Sequence, residues 1–503
     1  MTEIEMGHPT EEPKKYSYNY NKCYSALSQI TAVLVGNMIM LQFGMSIAMP
    51  TVIIGKLKET NETAKLSWTD ADNGGFSLTG VECSWYGSLL LICHPIGSLL
   101  SSFIQDKYGR KTCLTIVCFP QFLGWFSLFI ARSSQLLYVS SCSLGLAMGL
   151  SEAPILTYVG ESTEPRLRSV LSSLSNFCSM IGLFLTYLLA AIISWRQLAM
   201  LYMCLPAVVF LTTILVIPES PVWLLSKNRT TQAIKSLCWL RGFTSSSSVR
   251  DEINQMLQYI QGKNSESDTS SLDENGNKKC RVFGKIEDIL VLLSDKSVFR
   301  PFILLDFIFF FCTICSMIPV KPYLVYVIKK VGTPFEPQWA LVYIGINTIS
   351  GAFLNMLIVR MFGKRRLLIS SMIISTILQF LIGIYAQYGK QYPCFQNAWI
   401  PFVLFCAVSF IAGFGITAIP WILLGELFPM RARGQISGVT AAINFGVGFL
   451  LTKTYFDVVA IYTLPWTFIV YSSVGIIGIF YVYIYLPETE NKTLQQIQKH
   501  FED

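Results

Sequence analysis

The chain has 503 residues, 52% of them hydrophobic and 14% charged, with a net charge of +7. Soluble domains carry about 25% charged residues, so no soluble core of this length would hide so much apolar surface, and the bilayer must serve as part of the solvent. The positive balance does not indicate a nucleic-acid partner, because the basic residues fall mainly in short loops between apolar runs, as membrane orientation requires.

The first 27 residues are polar and offer no cleavable signal peptide. Twelve apolar segments follow, each long enough, at about 20 residues, to cross a bilayer. Numbered 1 to 12, they fall at 28–52, 83–104, 112–132, 135–157, 170–193, 197–217, 300–328, 338–359, 366–388, 399–424, 436–458 and 463–486. An even count puts both termini on one side. The loops after spans 2, 4, 6, 8 and 10 carry Lys107, Arg110 and Lys111; Arg166 and Arg168; Lys227 and Arg229; Arg360, Lys364, Arg365 and Arg366; and Arg431 and Arg433. The opposite loops are sparser, so the positive-inside rule makes both termini cytoplasmic. The loop 53–82 is then external, and its Asn61-Glu62-Thr63 is a glycosylation acceptor. Asn228 and Asn491 match the same pattern but fall inside and are discounted.

Residues 218–299 separate a first six-span half, 28–217, from a second, 300–486, and a cytoplasmic tail runs from 487 to 503. Within the long loop, 263–280 is polar and poor in aromatics, the composition of a disordered segment. Residues 249–261 and 284–294 have helical spacing and predict short cytoplasmic helices. Six spans, a long loop and six spans is the layout of a transporter built from two repeats. The fold class is all-α membrane protein. The 14 cysteines lie mostly inside apolar runs; Cys312 and Cys315 are spaced like metal ligands but lack partners, and no zinc pattern occurs. With no nucleotide loop, catalytic triad or metal cluster in a soluble segment, the reading is no enzyme, no cofactor and no catalytic residue.

Span 10 and its exit, GFGITAIPWILLGELFPMRARGQ at 413–435, stand apart. Hydrocarbon tolerates Gly and Pro in a helix only where protein or a water-filled cavity satisfies the loosened backbone. Thr417 and Trp421 are four apart and share a face. A broken helix with an aromatic and a hydroxyl, ending in a charged clasp, suits a cavity that binds a small polar solute and changes shape. The charged patterns repeat between halves. Asp106, Lys107, Gly109, Arg110 and Lys111 follow span 2, and Gly363, Lys364, Arg365 and Arg366 follow span 8. Glu161 precedes Arg168 by seven residues after span 4, as Glu426 precedes Arg433 after span 10. Such acids and arginines can pair across loops and latch one conformation.

In these motifs the chain resembles the sugar porter family of the major facilitator superfamily, over about residues 28 to 498. The matching runs are DKYGRK after span 2, PESPVWLL (with Glu219) after span 6, PWILLGELFPMRARG after span 10 and PETENKTLQQI after span 12; APILTYVGE at 153–161 looks like the trehalose-facilitator branch and its hexose-carrying relatives. The resemblance implies two six-helix halves, alternating access and a central sugar site. It implies that Trp421 stacks on the sugar, that Asn176, Thr417, Asn444, Thr313 and Asn347 hydrogen-bond it, and that Tyr323 is an outer gate. It also implies a latch of Asp106, Arg110, Glu161, Arg168, Glu219, Arg365, Glu426 and Arg433.

The departures matter as much. Where the family's span 7 carries two glutamines and an asparagine, this chain has Cys312, Thr313 and Ile318. Asn176 replaces a glutamine, and Thr417-Ala418 a Gly-Pro. Proton-coupled members carry an acid in span 1, at the place of Gly44, and no acid occurs between Ser28 and Lys56. That favours a uniporter, unless Glu152 or His94, ionisable groups within spans, have taken over the proton. Lys453 and Asp457, four apart, are spaced to pair. The expected function is facilitative transport of a sugar, trehalose or hexose, at the plasma membrane, with lipid and the sugar as partners and the oligomeric state left open. The alternatives are a carrier of a non-sugar polar solute and a sugar sensor that does not transport.

Overall fold

A computed structural model describes residues 22–57, 77–257, 291–389, 397–428 and 433–488. Among these residues, twelve helices are long and apolar enough to cross a membrane. Spans 1 to 6 are Lys22–Leu57, Gly80–Tyr108, Arg110–Phe129, Ser134–Ser162, Pro165–Ile192 and Trp195–Val216. Spans 7 to 12 are Lys296–Val331, Pro337–Phe362, Lys364–Tyr388, Trp399–Glu426, Arg433–Lys453 and Tyr455–Tyr485. Asn61, the segment 263–280, Arg431 and the tail beyond Glu488 lie outside the described residues, as do the side chains of Arg168 and Arg433.

Local chemistry sets the helix ends. Spans 2 and 6 each begin with a reciprocal cap: Glu82 N donates to Thr79 Oγ1 while Thr79 N donates to Glu82 Oε2, and Ser194 and Gln197 repeat the exchange. Each cap satisfies backbone N–H groups that a helix start would leave unpaired. Span 12 is two helices: Thr463, at φ 64°, breaks the run, so the crossing segment starts at Leu464 and Tyr455–Tyr462 is a short extra helix before it. In the long loop, Pro221–Ser226, Thr230–Leu240 and 250–257 are helical and pack a small core of their own around Trp223, Leu237 and Ile253. Only the last of the three was legible as a helix. Arg241 ties this unit down: buried, it donates to both carboxylate oxygens of Glu252 and to Ser162 O at the end of span 4.

Helix backbones approach closely at glycine. A Cβ on Gly97 would lie 2.2 Å from Leu146 O, and one on Gly149 would lie 2.0 Å from His94 O, so spans 2 and 4 meet backbone to backbone. Spans 8 and 10 repeat this, with the Cβ of Gly351 2.1 Å from Phe410 O and that of Gly413 2.4 Å from Thr348 O. Small residues serve this purpose in lipid, where no hydrophobic force drives one helix onto another.

The apolar core is arranged unequally along the bundle. Away from the basic loops, a single cluster runs through both sets of six spans, joining Met49, Ile53 and Tyr86 to Val320, Tyr323 and Val325. Towards the basic loops the core is split: one cluster, with Leu114, Leu150 and Val159, belongs to spans 1–6, and another, with Leu305, Leu368 and Leu423, belongs to spans 7–12. The halves are therefore sealed together at the far end and separate at the basic end.

Candidate functional site

Two broken helices frame a cavity. Span 7 ends its first helical stretch at Cys315, turns through Met317 at φ 55°, continues as a 3-10 helix over Ile318–Tyr323 and resumes as Leu324–Val331. The carbonyls this frees need donors. Cys315 O takes them from Ser375 Oγ and Gln379 Nε2 of span 9, each at 2.7 Å. Span 10 bulges as a π-turn over Ala412–Ile416, where Thr417 N and Thr417 Oγ1 both donate to Ala412 O at 3.0 Å. Such single-turn π-bulges concentrate at functional sites. Asn355 Nδ2 of span 8 donates to Phe414 O within the bulge.

Between these breaks and spans 5 and 8 lies the cavity, whose polar lining is Ser316, Lys321, Thr348, Ser409 and Thr417, with Tyr187 opposite. Its hydroxyls are mostly spent as donors on their own helices: Ser316 on Thr313 O, Thr348 on Ile344 O, Thr417 on Ala412 O. They offer the cavity lone pairs rather than protons. A sugar hydroxyl, which can donate, suits such walls.

One turn nearer the basic end is a second ring of groups. Asn176 is four residues from Met180 and seven from Leu183, both cavity residues, so it shares their face of span 5, and it is exposed. Thr313 precedes Ser316 and lies 3.3 Å from Asn444 Oδ1 of span 11. Trp421, on the face of Thr417, is half-buried; it meets Phe309 edge-on at 5.1 Å and Phe445 at 5.9 Å. Phe445 in turn stacks at 3.6 Å on His94, from the other half. His94 Nε2 is 3.3 Å from Glu152 Oε2, and Glu152 is partly open. A strip from Trp421 to Glu152 thus crosses the seam between halves.

The structure brings Asn176, Thr313, Thr417, Trp421 and Asn444 to one region. It separates two of the expected residues. Asn347 donates to Tyr343 O of its own helix, and its neighbour Thr348 faces the cavity instead. Tyr323 is fully buried in the sealed end, its hydroxyl on Thr452 O and its ring stacked on Tyr455 at 5.0 Å. It stands in the closed far side, the place expected of an outer gate, and does not line the cavity. Lys453 does not pair with Asp457; it donates to Ser84 Oγ and covers the Trp85 ring at 4.1 Å, joining spans 11 and 2.

Among the described residues, the charged clasps form within each half. Arg110 Nη2 meets Glu161 Oε1 at 2.8 Å, and Lys364 Nζ meets Glu426 Oε1 at 2.7 Å. The expected Arg365 is elsewhere, donating to Tyr483 O. The reason is the turn: Gly109 at φ 101° and Gly363 at φ 79° aim the residue that follows each, Arg110 and Lys364, at the acid. Asp106 is exposed, and its carbonyl rather than its carboxylate is used, by Trp223 Nε1. Glu219 caps the start of span 3, accepting from Arg110 N and Lys111 N at 2.9 and 3.1 Å. Burial pushes its carboxyl up, while the backbone donors and Arg110 pull it down. The Glu488 carboxylate stands against Gly363 as that of Glu219 stands against Gly109, an equivalence readable in the paired Pro-Glu-Ser and Pro-Glu-Thr that the sequence reading did not join.

These clasps carry a prediction. Each partly buried ion pair contributes about 1 kcal/mol, and each braces the basic end of its own half. Glu161→Gln with Glu426→Gln should slow turnover several-fold in protein that reaches the membrane normally. Transport at the wild-type rate would reduce the pairs to markers of topology.

Residues 29–501 match the family model described as sugar (and other) transporter. The facilitated trehalose transporter Tret1 of Apis mellifera ligustica is 26% identical over 91% of this chain and 87% of its own length. That of Culex quinquefasciatus is 25% identical over 99% and 89%. The inward-open xylose transporter XylE from E. coli shares the fold at a TM-score of 0.70 with 18% identity, covering 94% of this chain and 99% of its own.

Proposed function

This chain belongs to the sugar (and other) transporter family, and from that premise we propose that it carries a sugar across the plasma membrane, down its gradient, by alternating access. The observation that carries this reading is the placement of the cavity: it lies at two broken helices, between an apolar seal shared by the halves and a basic end where their cores are separate. With the basic loops cytoplasmic, this conformation is open to the inside, and both termini are cytoplasmic. Asn61 would then be the external glycan acceptor. The trehalose carriers among the relatives make trehalose and hexoses the first neutral sugars to test.

Uniport is supported at Gly44. A Cβ there would lie 1.7 Å from Ser179 O, so span 5 leaves no room for the proton-carrying acid of coupled relatives. The His94–Glu152 pair is read as a brace of the seam, holding the ring that Phe445 stacks on. Purified protein in liposomes should therefore take up sugar at a rate untouched by a protonophore, with no accumulation above the external level. Accumulation driven by a pH gradient, and lost in Glu152→Gln, would show that this pair carries a proton.

A further inference from the structure

Lys321 stands in the cavity wall among hydroxyls and apolar side chains. It comes from the 3-10 stretch of span 7, between Pro319 and Pro322, whose fixed backbones hold it in place. Thr51 Oγ1 of span 1 anchors its carbonyl at 2.9 Å. Among the described residues, no Asp or Glu lines the cavity and no side chain forms an ion pair or hydrogen bond with the Lys321 ammonium. An ionisable group inside a membrane span is costly and is retained where it faces a cavity or a partner. Here the cavity is present, and no described residue is the partner.

We propose that Lys321 is a specificity-determining residue and that the carried solute is an acidic sugar, a hexuronate or aldonate, whose carboxylate meets the Lys321 ammonium. The inference rests on the sugar-carrier reading and narrows its substrate class. The rest of the wall agrees with it. Ser316, Thr348 and Thr417 have spent their protons on backbone carbonyls and accept from a solute's hydroxyls. These three hydroxyls have little to offer a carboxylate, which needs donors, and Lys321 supplies three on one charge. A cation also takes over the orienting role of amides that span 7 lacks, with Cys312 and Ile318 where relatives of the resembled family carry them.

The test uses the full chain in liposomes with labelled D-glucuronate, D-gluconate, D-glucose and trehalose as probes. Wild-type protein should take up the acidic probes at least tenfold faster than the neutral ones. Lys321→Met should lose acidic uptake by tenfold or more and keep or gain neutral uptake, while Lys321→Arg, which preserves the charge, should keep the acidic preference. Wild-type uptake of neutral sugars alone, unchanged in Lys321→Met, overturns the inference and leaves the sugar carrier standing. Uptake of neither class by wild type overturns both.

Discussion

Trp421→Ala should abolish uptake of every sugar the protein carries while leaving the protein folded in the membrane. Trp421 is half-buried, held edge-on by Phe309 and beside Phe445, and lies one turn from Thr417 of the cavity wall on the same helix face. Its neighbours fix the ring in one plane, and a flat, fixed face is what the apolar side of a pyranose can lie against. A tryptophan offers up to about 250 Å²; if a solute covers about 100 Å² of it, the loss at about 25 cal/mol per Å² is about 2.5 kcal/mol, or roughly seventyfold in affinity. The closing motion adds to that, because Phe445 connects the ring to His94 of the other half. Trp421→Phe should retain a measurable fraction. Uptake assays on monodisperse variants in liposomes decide the matter, and a Trp421→Ala rate within twofold of wild type would remove the stacking role.

The break in span 10 was legible because Gly413, Gly415 and Pro420 announce it in an apolar run. The equal break in span 7, where Lys321 stands between Pro319 and Pro322, did not enter the sequence reading, which there weighed only the missing amides at Cys312, Thr313 and Ile318. The available signal was depth: Val325, Val327 and Ile328 continue the buried core beyond it, so the lysine lies inside the crossing and not at its edge. The clasps show a different limit. Composition makes Lys364, Arg365 and Arg366 interchangeable, and only the left-handed turn at Gly363 decides that Lys364 faces Glu426. Hydroxyl direction was invisible too. Thr417 was read as a hydroxyl partner for sugar without a direction, and the π-bulge in front of it presents Ala412 O, which takes its proton and leaves it an acceptor. The spans themselves were read correctly because the bilayer imposes length and apolarity on each segment alone, while register between segments depends on contacts far apart in the chain.

The contact between spans 2 and 4 is of that second kind, and it sets the other large expectation: Gly149→Leu should prevent accumulation of folded protein. A Cβ at Gly149 would stand 2.0 Å from His94 O and 2.6 Å from Ser98 N, and one at Gly97 2.2 Å from Leu146 O. Every one of these neighbours is backbone, so no rotamer change can make room; the helices must part along their whole crossing. Overpacking in a well-packed core costs about 1–3 kcal/mol where side chains can adjust, and more is expected where only backbones can move. Parting the helices also displaces His94, and with it the stack on Phe445 across the seam. Even Gly149→Ala should lower the melting temperature of detergent-solubilised protein. Gly160, in the same span, has nothing within 4 Å of its would-be Cβ, so Gly160→Ala is the matched control and should leave both melting and yield unchanged. Equal melting temperatures for Gly149→Leu and wild type would mean that spans 2 and 4 do not cross at these glycines. If instead the protein accumulates but no longer transports, the crossing tolerates separation and its role is to place His94 against the second half.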